Sequence, residues 1–281
     1  MALRDDLTAY IAQHGRPKLA VAEKHNVAII GETHAFLGSD VSAIRAAATV
    51  RLLLELLGNP RYRYFGNESF LNAGPVRRGV QDYWRRATLP PPFDPTLTNL
   101  DIQEIGRRVL TRRFQPVLDF LRANPRYILS IGSRVEGRAR DRRLAQHFFE
   151  EMADRKLHPA IPGVLLVGAN HAAAKPVVNE ATTRMILQQR GYKCLSIRVL
   201  TDFMREGDAD DAVVPVVEGP VTSPAQVTDI RLTSLVAQSP WTVPTDRPSP
   251  THQPSPFRRV AFPNHDTSVA EQFEYIVLQK A

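Results

Sequence analysis

Short apolar runs alternate with longer amphipathic stretches between residue 27 and about residue 200. This alternation is typical of an α/β fold, in which helices connect parallel strands and pack on the faces of the sheet. We therefore predict a layered, mostly parallel central sheet with helices on both faces and a site at the C-terminal strand ends. The predicted strands are 27–31, 62–68, 127–132, 164–168 and 193–199.

Apolar residues at helical spacing predict the intervening helices. One begins near residue 40 and ends at Gly58, and another follows the apolar positions from Ile102 to Leu121 with a break at Pro116. A strongly amphipathic helix covers residues 144–152, and Pro176 predicts the first turn of a further helix.

The C-terminal part of the chain is rich in proline. Residues 240–257 hold six prolines with Ser, Thr and Gln between them, which favours an extended surface strap or loop. The apolar run at 273–278 predicts a last strand that returns to the sheet. We therefore interpret residues 1–281 as a single α/β domain with a proline-rich strap at about 240–257.

Two predicted strands end in the same Gly-x-x-His motif. The first is Gly31-Glu32-Thr33-His34 and the second is Gly168-Ala169-Asn170-His171. With 15 Gly and 8 His in 281 residues, chance predicts about 0.4 such matches. The glycine is expected to let the chain turn sharply as it leaves the sheet. The histidine would then lie just beyond the strand end, where open α/β sheets build their sites.

Further polar residues follow the other predicted strands. Each one alone fits a structural role, such as a helix cap or an ion pair, but their joint position at strand ends favours a common cleft. The candidate catalytic residues are Glu32, His34, Glu68 and His171, and the candidate substrate-binding or supporting residues are Arg140, Asp141 and Asn170.

Two mechanisms would use this set of residues. His34, Glu68 and His171 could hold a divalent metal such as Zn²⁺, Mn²⁺ or Co²⁺ and leave a position open for water. Such an ion lowers the pKa of a bound water and supplies hydroxide near neutral pH. Alternatively, a histidine acts as general base on a water oriented by Glu32 or Glu68, and an arginine stabilises the oxyanion.

In this order, the motifs resemble those of the superfamily that joins erythromycin esterases, ChaN-like haem-binding lipoproteins and TraB/TIKI metalloprotease-like proteins. The matching pieces are Gly31–His34, the strand-terminal Glu68, the helix start Arg140–Ala145 and the strand with its histidine at 164–171. The match covers residues 27 to about 175. Erythromycin esterases carry a further histidine where this chain has Gly168, and the paired Gly-x-x-His is closest to the TraB/TIKI pattern.

The resemblance implies a hydrolase-like site centred on Glu32, His34, Glu68 and His171, with Arg140 and Asp141 in support. Our leading hypothesis is a hydrolase that cleaves an ester or amide bond of a small-molecule or peptide substrate. The alternative is a non-catalytic ChaN-like protein that binds haem or a metal ligand, with histidines as axial ligands and arginines on the propionates.

Composition and charge bear on the remaining functional classes of the protein and on its location. The formal charge is +7, and 30 of the 36 basic residues are arginine, but pairs such as Arg85-Arg86 lie on predicted helix faces. Without a recognised nucleic-acid module, this charge disfavours nucleic-acid binding, and a partner-binding module remains a third hypothesis. The single cysteine, Cys194, is expected to be a buried structural thiol. Because no signal peptide or apolar membrane span is evident, we expect a cytoplasmic protein without a membrane partner, although a signal-less exported protein would look the same.

Overall fold

A computed structural model gives the three-dimensional structure. It describes residues 3–20, 24–32, 41–72, 115–133, 135, 137–177, 179–201, 214–217, 227–249, 254–262 and 267–279. The arginine pairs at 77–78, 85–86, 107–108 and 112–113 and the predicted helix over 102–114 lie outside these residues.

The strands have the following bounds: β1 Val27–Glu32, β2 Tyr64–Leu71, β3 Tyr127–Gly132, β4 Gly163–Gly168, β5 Cys194–Thr201, β6 Val214–Val217, β7 Val227–Ile230, β8 Trp241–Pro244 and β9 Tyr275–Gln279. The α-helices are α1 Leu3–His14, α2 Val41–Gly58, α3 Gln115–Ala123, α4 Arg140–Asp154, α5 Ala169–Ala172, α6 Thr183–Gln189 and α7 Val269–Gln272. Short 3₁₀ helices cover Gly137–Ala139, Leu232–Leu235 and Pro256–Arg259.

Across the described residues, seven strands form one sheet in the order β3-β2-β4-β1-β5-β9-β8. All neighbouring pairs are parallel except β8 with β9, which is antiparallel and places β8 at an edge. β6 and β7 form a separate antiparallel pair. The prediction of a mostly parallel sheet is therefore confirmed.

Side chains alternate between the two faces of β1, and each face has its own apolar core. Val27 and Ile29 belong to a core that includes residues of α1, α4 and α6. Ala28 and Ile30 belong to a second core, shared with α2 and α3. Helices thus cover both faces, which explains why strands such as β4 are apolar at nearly every position.

The connections at the ends of β1, β2 and β4 run to both faces of the sheet. α2 and α3 follow β1 and β2 and pack on one face, whereas α4 and α6 follow β3 and β4 and pack on the other. β4 lies between β1 and β2, so the chain leaves neighbouring strands toward opposite faces. Such switch points open a crevice at the carboxyl ends of the strands.

Two local predictions need revision. The helix expected to begin at Pro176 begins at Thr183, because Val177 and Glu180 form a tight bridge with Asn179 in the left-handed region at φ 62°. Part of the proline-rich segment forms the edge strand β8, in which Thr242 and Val243 are buried. Pro244 fits there because an edge strand can lack a backbone N–H. Residues 250–253 of this segment lie outside the described part.

Membrane-spanning helices were predicted to be absent. Among the helices that the structure describes, none is both long and apolar enough to cross a bilayer.

Candidate active site

The two Gly-x-x-His motifs lie side by side on neighbouring parallel strands. Glu32 at the end of β1 is in register with Gly168 at the end of β4. α5 then carries the rest of the second motif across the end of β1. A Cβ added to Gly31 would lie 3.0 Å from the Cα of Ala169 and 3.0 Å from the Cβ of Ala172.

This packing corrects the role expected for the glycines. Gly168 has φ −60° and ψ 151°, an extended conformation that any residue adopts, so no left-handed turn is needed there. At Gly31 the requirement is close approach, since a larger side chain would push α5 away from the sheet. The first motif therefore makes room for the second.

Glu68 lies in an irregular part of β2. The register between β2 and β3 shifts between Asn67 and Leu71, and such bulges re-aim side chains at the ends of strands. Its side chain is only 4% exposed, and its Oε2 accepts a hydrogen bond of 3.0 Å from the backbone N–H of Gly168. The carboxylate of Glu68 is thus fixed against the start of the second motif.

Asp141 and His171 form a hydrogen-bonded pair. The Nδ1 of His171 lies 3.0 Å from the Oδ1 of Asp141. Since an ionised carboxylate only accepts, this contact assigns the proton of the neutral imidazole to Nδ1. The Nε2 atom then carries a lone pair, which makes it the basic atom of the ring.

The lone pair of His171 lies near the carboxylate of Glu68. The Nε2 of His171 is 3.8 Å from the Oε2 of Glu68, beyond hydrogen-bond range. Contacts of this length are often completed by a water that bonds to both groups. The arrangement of Asp141, His171 and Glu68 therefore places two acceptors, the Nε2 of His171 and the Oε2 of Glu68, close enough to bond to the same water beside them.

Arg140 brings a cation to the same place. Its Nη2 lies 3.8 Å from the Oε1 of Glu68, and 23% of the side chain remains exposed. Its Nε is buried without a hydrogen-bond partner. The Nε is closed to solvent, so an anion would be met by the terminal nitrogens of this partly exposed side chain.

The other predicted site residues, Glu32, Asn170 and His34, are not part of this group in the described structure. Glu32 accepts a hydrogen bond of 2.9 Å from the hydroxyl of Thr49 on α2, and α2 packs on the face opposite to α4. Asn170 is exposed on α5. His34 lies outside the described residues. Glu68, Arg140, Asp141 and His171 are therefore the predicted residues that the described structure brings together.

Three contacts made by the predicted residues were missed by sequence reasoning. Thr183 donates to Asp141 from its backbone N–H and, at 2.7 Å, from its hydroxyl. Thr49 holds Glu32, and the N–H of Gly168 holds Glu68. Both threonines lie in helical segments where a hydroxyl has many local explanations, and a backbone donor leaves no trace in the sequence.

Two of the predicted metal ligands lie near each other in the structure. His171 Nε2 and Glu68 Oε2 are suitable ligand atoms, and Asp141 orients His171 as carboxylates orient metal-bound histidines. Within the described ranges, no group of three or more His, Cys, Asp or Glu residues could hold an ion. The third predicted ligand, His34, lies outside them, so two of the three predicted ligands fit.

The surroundings of Cys194 disfavour its ionised form. Burial raises the pKa of its thiol to about 12, so the thiolate is scarce at neutral pH. Its position at the start of β5 agrees with a structural role.

Comparison with known proteins gives a structural neighbour. The chain is similar to the crystal structure of a succinoglycan biosynthesis protein determined at 1.7 Å resolution, with a TM-score of 0.56 and 11% sequence identity. The similarity covers 100% of this chain and 98% of that one. At this identity the likeness shows the fold alone. No protein-family model matches the sequence, and no curated protein is significantly similar to it.

Proposed function

We propose that this protein is a hydrolase that cleaves an ester or amide bond of a small-molecule or peptide substrate. The observation that carries the proposal is the Asp141–His171 hydrogen bond, which leaves the Nε2 of His171 facing Glu68 at 3.8 Å. The resemblance of the motifs to the erythromycin esterase, ChaN and TraB/TIKI superfamily supports the same proposal.

In the proposed reaction, His171 acts as general base. Its Nε2 removes a proton from a water as the water oxygen attacks the carbonyl carbon of the substrate. The tetrahedral intermediate collapses when the carbon–oxygen or carbon–nitrogen bond to the leaving group breaks. The imidazolium of His171 returns its proton to that leaving group, so the products are a carboxylic acid and an alcohol or amine.

Asp141 and Glu68 prepare this step before substrate arrives. Asp141 holds the imidazole in the useful tautomer and stabilises its positive charge after proton transfer. Glu68 accepts a hydrogen bond from the other O–H of the same water. This bond orients the water so that a lone pair on its oxygen points at the carbonyl carbon. Glu68 is itself held by the N–H of Gly168, which keeps the site preorganised.

Arg140 stabilises the negative charge that develops on the substrate in the proposed reaction. The carbonyl oxygen of the substrate becomes anionic in the intermediate, and a guanidinium donor stabilises that charge. The guanidinium of Arg140, whose Nη2 lies beside Glu68 on a side chain that is 23% exposed, would provide such a donor. A substrate that carries its own carboxylate would be bound by the same side chain.

A divalent cation remains part of the proposal. His171 Nε2 and Glu68 would hold it together with His34, and it would supply Lewis acidity that lowers the pKa of a water. Elemental analysis of the purified full-length protein and of the His171→Ala variant tests this point. Stoichiometric Zn, Mn or Co that is lost in the variant supports a metal, whereas none in either protein supports the histidine base.

The experiment that tests the proposed function measures hydrolysis by the full-length protein. A panel of p-nitrophenyl esters and p-nitroanilides provides the reporter bonds. A general base contributes about 10²- to 10⁴-fold, so we expect His171→Ala to lower kcat by that factor. Absence of hydrolysis across the panel, or wild-type kcat in a folded His171→Ala variant, would overturn the proposal.

His158 provides the matched control. It is exposed before β4, and its Nδ1 accepts a local hydrogen bond from the N–H of Ala160. His158→Ala removes an imidazole that precedes the start of β4, whereas His171 follows the end of that strand. We expect it to keep wild-type kcat, which separates loss of a base from loss of any histidine.

A further inference from the structure

We infer that Thr183 is a positioning residue of the candidate site: it fixes the carboxylate of Asp141 and thereby the proton of His171 on Nδ1. The inference rests on the proposed function, because it concerns the same base. Thr183 is fully buried at the first residue of α6.

Two donor groups of Thr183 bond to the same oxygen atom of Asp141. Its backbone N–H and its hydroxyl both donate to the Oδ1 of Asp141, the atom that accepts from His171. A carboxylate held by one partner can rotate about its terminal torsion, which is broad. Two donors from Thr183 restrict that rotation and keep Oδ1 turned toward the imidazole.

The arrangement also connects two elements that leave the sheet separately. Asp141 lies in the first turn of α4, after β3, whereas His171 lies on α5, directly after β4. Thr183 begins α6, so its bonds to Asp141 join the N-terminal ends of α4 and α6 around His171. Without this connection, the position of Asp141 relative to His171 would depend on α4 alone.

Neighbouring Thr182 shows what a purely structural threonine does here. Its hydroxyl donates to the carbonyl of Ala173 and accepts from the N–H of Met185, which caps α6. Thr182→Val therefore weakens the same helix end without removing a donor to Asp141. It is the matched control for Thr183→Val, which removes the hydroxyl and keeps the side-chain volume and the N–H.

The test is ¹⁵N NMR of the histidine rings in the full-length protein, with the His171 signals assigned by their loss in His171→Gln. In wild type we expect a protonated Nδ1 and an unprotonated Nε2. In Thr183→Val we expect part of the population to shift to the other tautomer and exchange of the Nδ1 proton to become roughly three- to tenfold faster, as for one lost hydrogen bond. Thr183→Ser, which restores the hydroxyl, and Thr182→Val should both keep the wild-type signals.

Two results would overturn the inference. One is a wild-type His171 that carries its proton on Nε2, which needs no variant to observe. The other is a folded Thr183→Val variant with wild-type tautomer and exchange. The tautomer and the proton exchange of His171 are both measured without a substrate. A failure to hydrolyse any substrate would therefore overturn the proposed function but would not affect this test. If hydrolysis is found, Thr183→Val should lower kcat and leave KM unchanged.

Discussion

Gly31 begins the first Gly-x-x-His motif and Ala172 directly follows the second, yet a Cβ on Gly31 would lie only 3.0 Å from the Cβ of Ala172. The start of the first motif therefore packs directly against α5, the helix that contains His171. This contact explains why a glycine precedes the polar residues at the end of β1. It also makes the position of His171 sensitive to a single methyl group one strand away.

Gly31→Ala should therefore destabilise the protein. Overpacking a filled site costs about 1–3 kcal/mol, and the backbone of α5 can relieve it only by moving away from β1. Chemical denaturation followed by circular dichroism measures the change in the free energy of unfolding. Gly58→Ala is the matched control, because no atom lies within 4 Å of the added Cβ at the end of α2. An equal loss of stability in both variants would contradict the packing argument.

Arg184 and Glu274 predict a second stability effect. Arg184 is 5% exposed and donates to both carboxylate oxygens of Glu274, at 2.9 and 2.6 Å. Removing the carboxylate in Glu274→Ala leaves a buried cation, which usually costs 3–5 kcal/mol. Because Glu274 is 35% exposed, water can partly replace it, and we expect about 2–3 kcal/mol.

Lys175 and Glu271 give the comparison for that prediction. The Lys175 side chain is 47% exposed, and solvent-exposed pairs contribute about 0–1 kcal/mol. Lys175→Ala should therefore change the free energy of unfolding by no more than that. A larger loss in Lys175→Ala than in Glu274→Ala would contradict the assignment of the buried pair as the stabilising one.

Cys194 predicts a pH effect. Burial raises the pKa of its thiol to about 12 from about 9 in the unfolded chain, so the folded state keeps the proton that the unfolded state loses. The stability from this group is complete below pH 9 and is lost as pH rises toward 12. At pH 9, alkylation by iodoacetamide should be roughly a hundredfold or more slower in the folded protein than in urea-unfolded protein. Equal rates would show that the thiol is accessible and ionised in the fold.

Haem binding makes a contrasting prediction. The Nδ1 of His171 is occupied by Asp141 and its Nε2 faces the carboxylate of Glu68, so iron would have to enter beside a buried carboxylate. We expect haem titration of the full-length protein to leave the Soret band unchanged. A Soret shift that His171→Ala abolishes would favour the binding-protein alternative.

The sheet could be predicted because its strands are apolar on both faces and separated by helical patterns. β1, β3 and β4 match the predicted ranges to within one residue. The start of α6 could not be predicted from the sequence. Pro176 signals a helix start, and the competing turn at Asn179 depends on its tertiary surroundings. β8 was missed because proline is rare inside strands, and only its place at the sheet edge makes Pro244 acceptable.

The candidate site could be predicted in part. Strand-end positions indicated Glu68, Asp141 and His171, because parallel strands bring their carboxyl ends to one edge. The pairing of Asp141 with His171, rather than with an arginine, depends on the approach of α4 to α5. Thr183 had no signal of its own, since its role comes from the bond it makes to a residue 42 positions earlier.

We propose that Asp141 keeps the lone pair of His171 on Nε2, where it acts as the base. Asp141→Asn preserves the shape of the side chain and can present its amide oxygen or its NH₂ group to Nδ1, so the favoured tautomer is lost. We predict that, on whichever reporter ester or amide the wild type hydrolyses, Asp141→Asn lowers kcat by about 10²-fold or more with little change in KM. A folded Asp141→Asn protein with wild-type kcat would contradict the account.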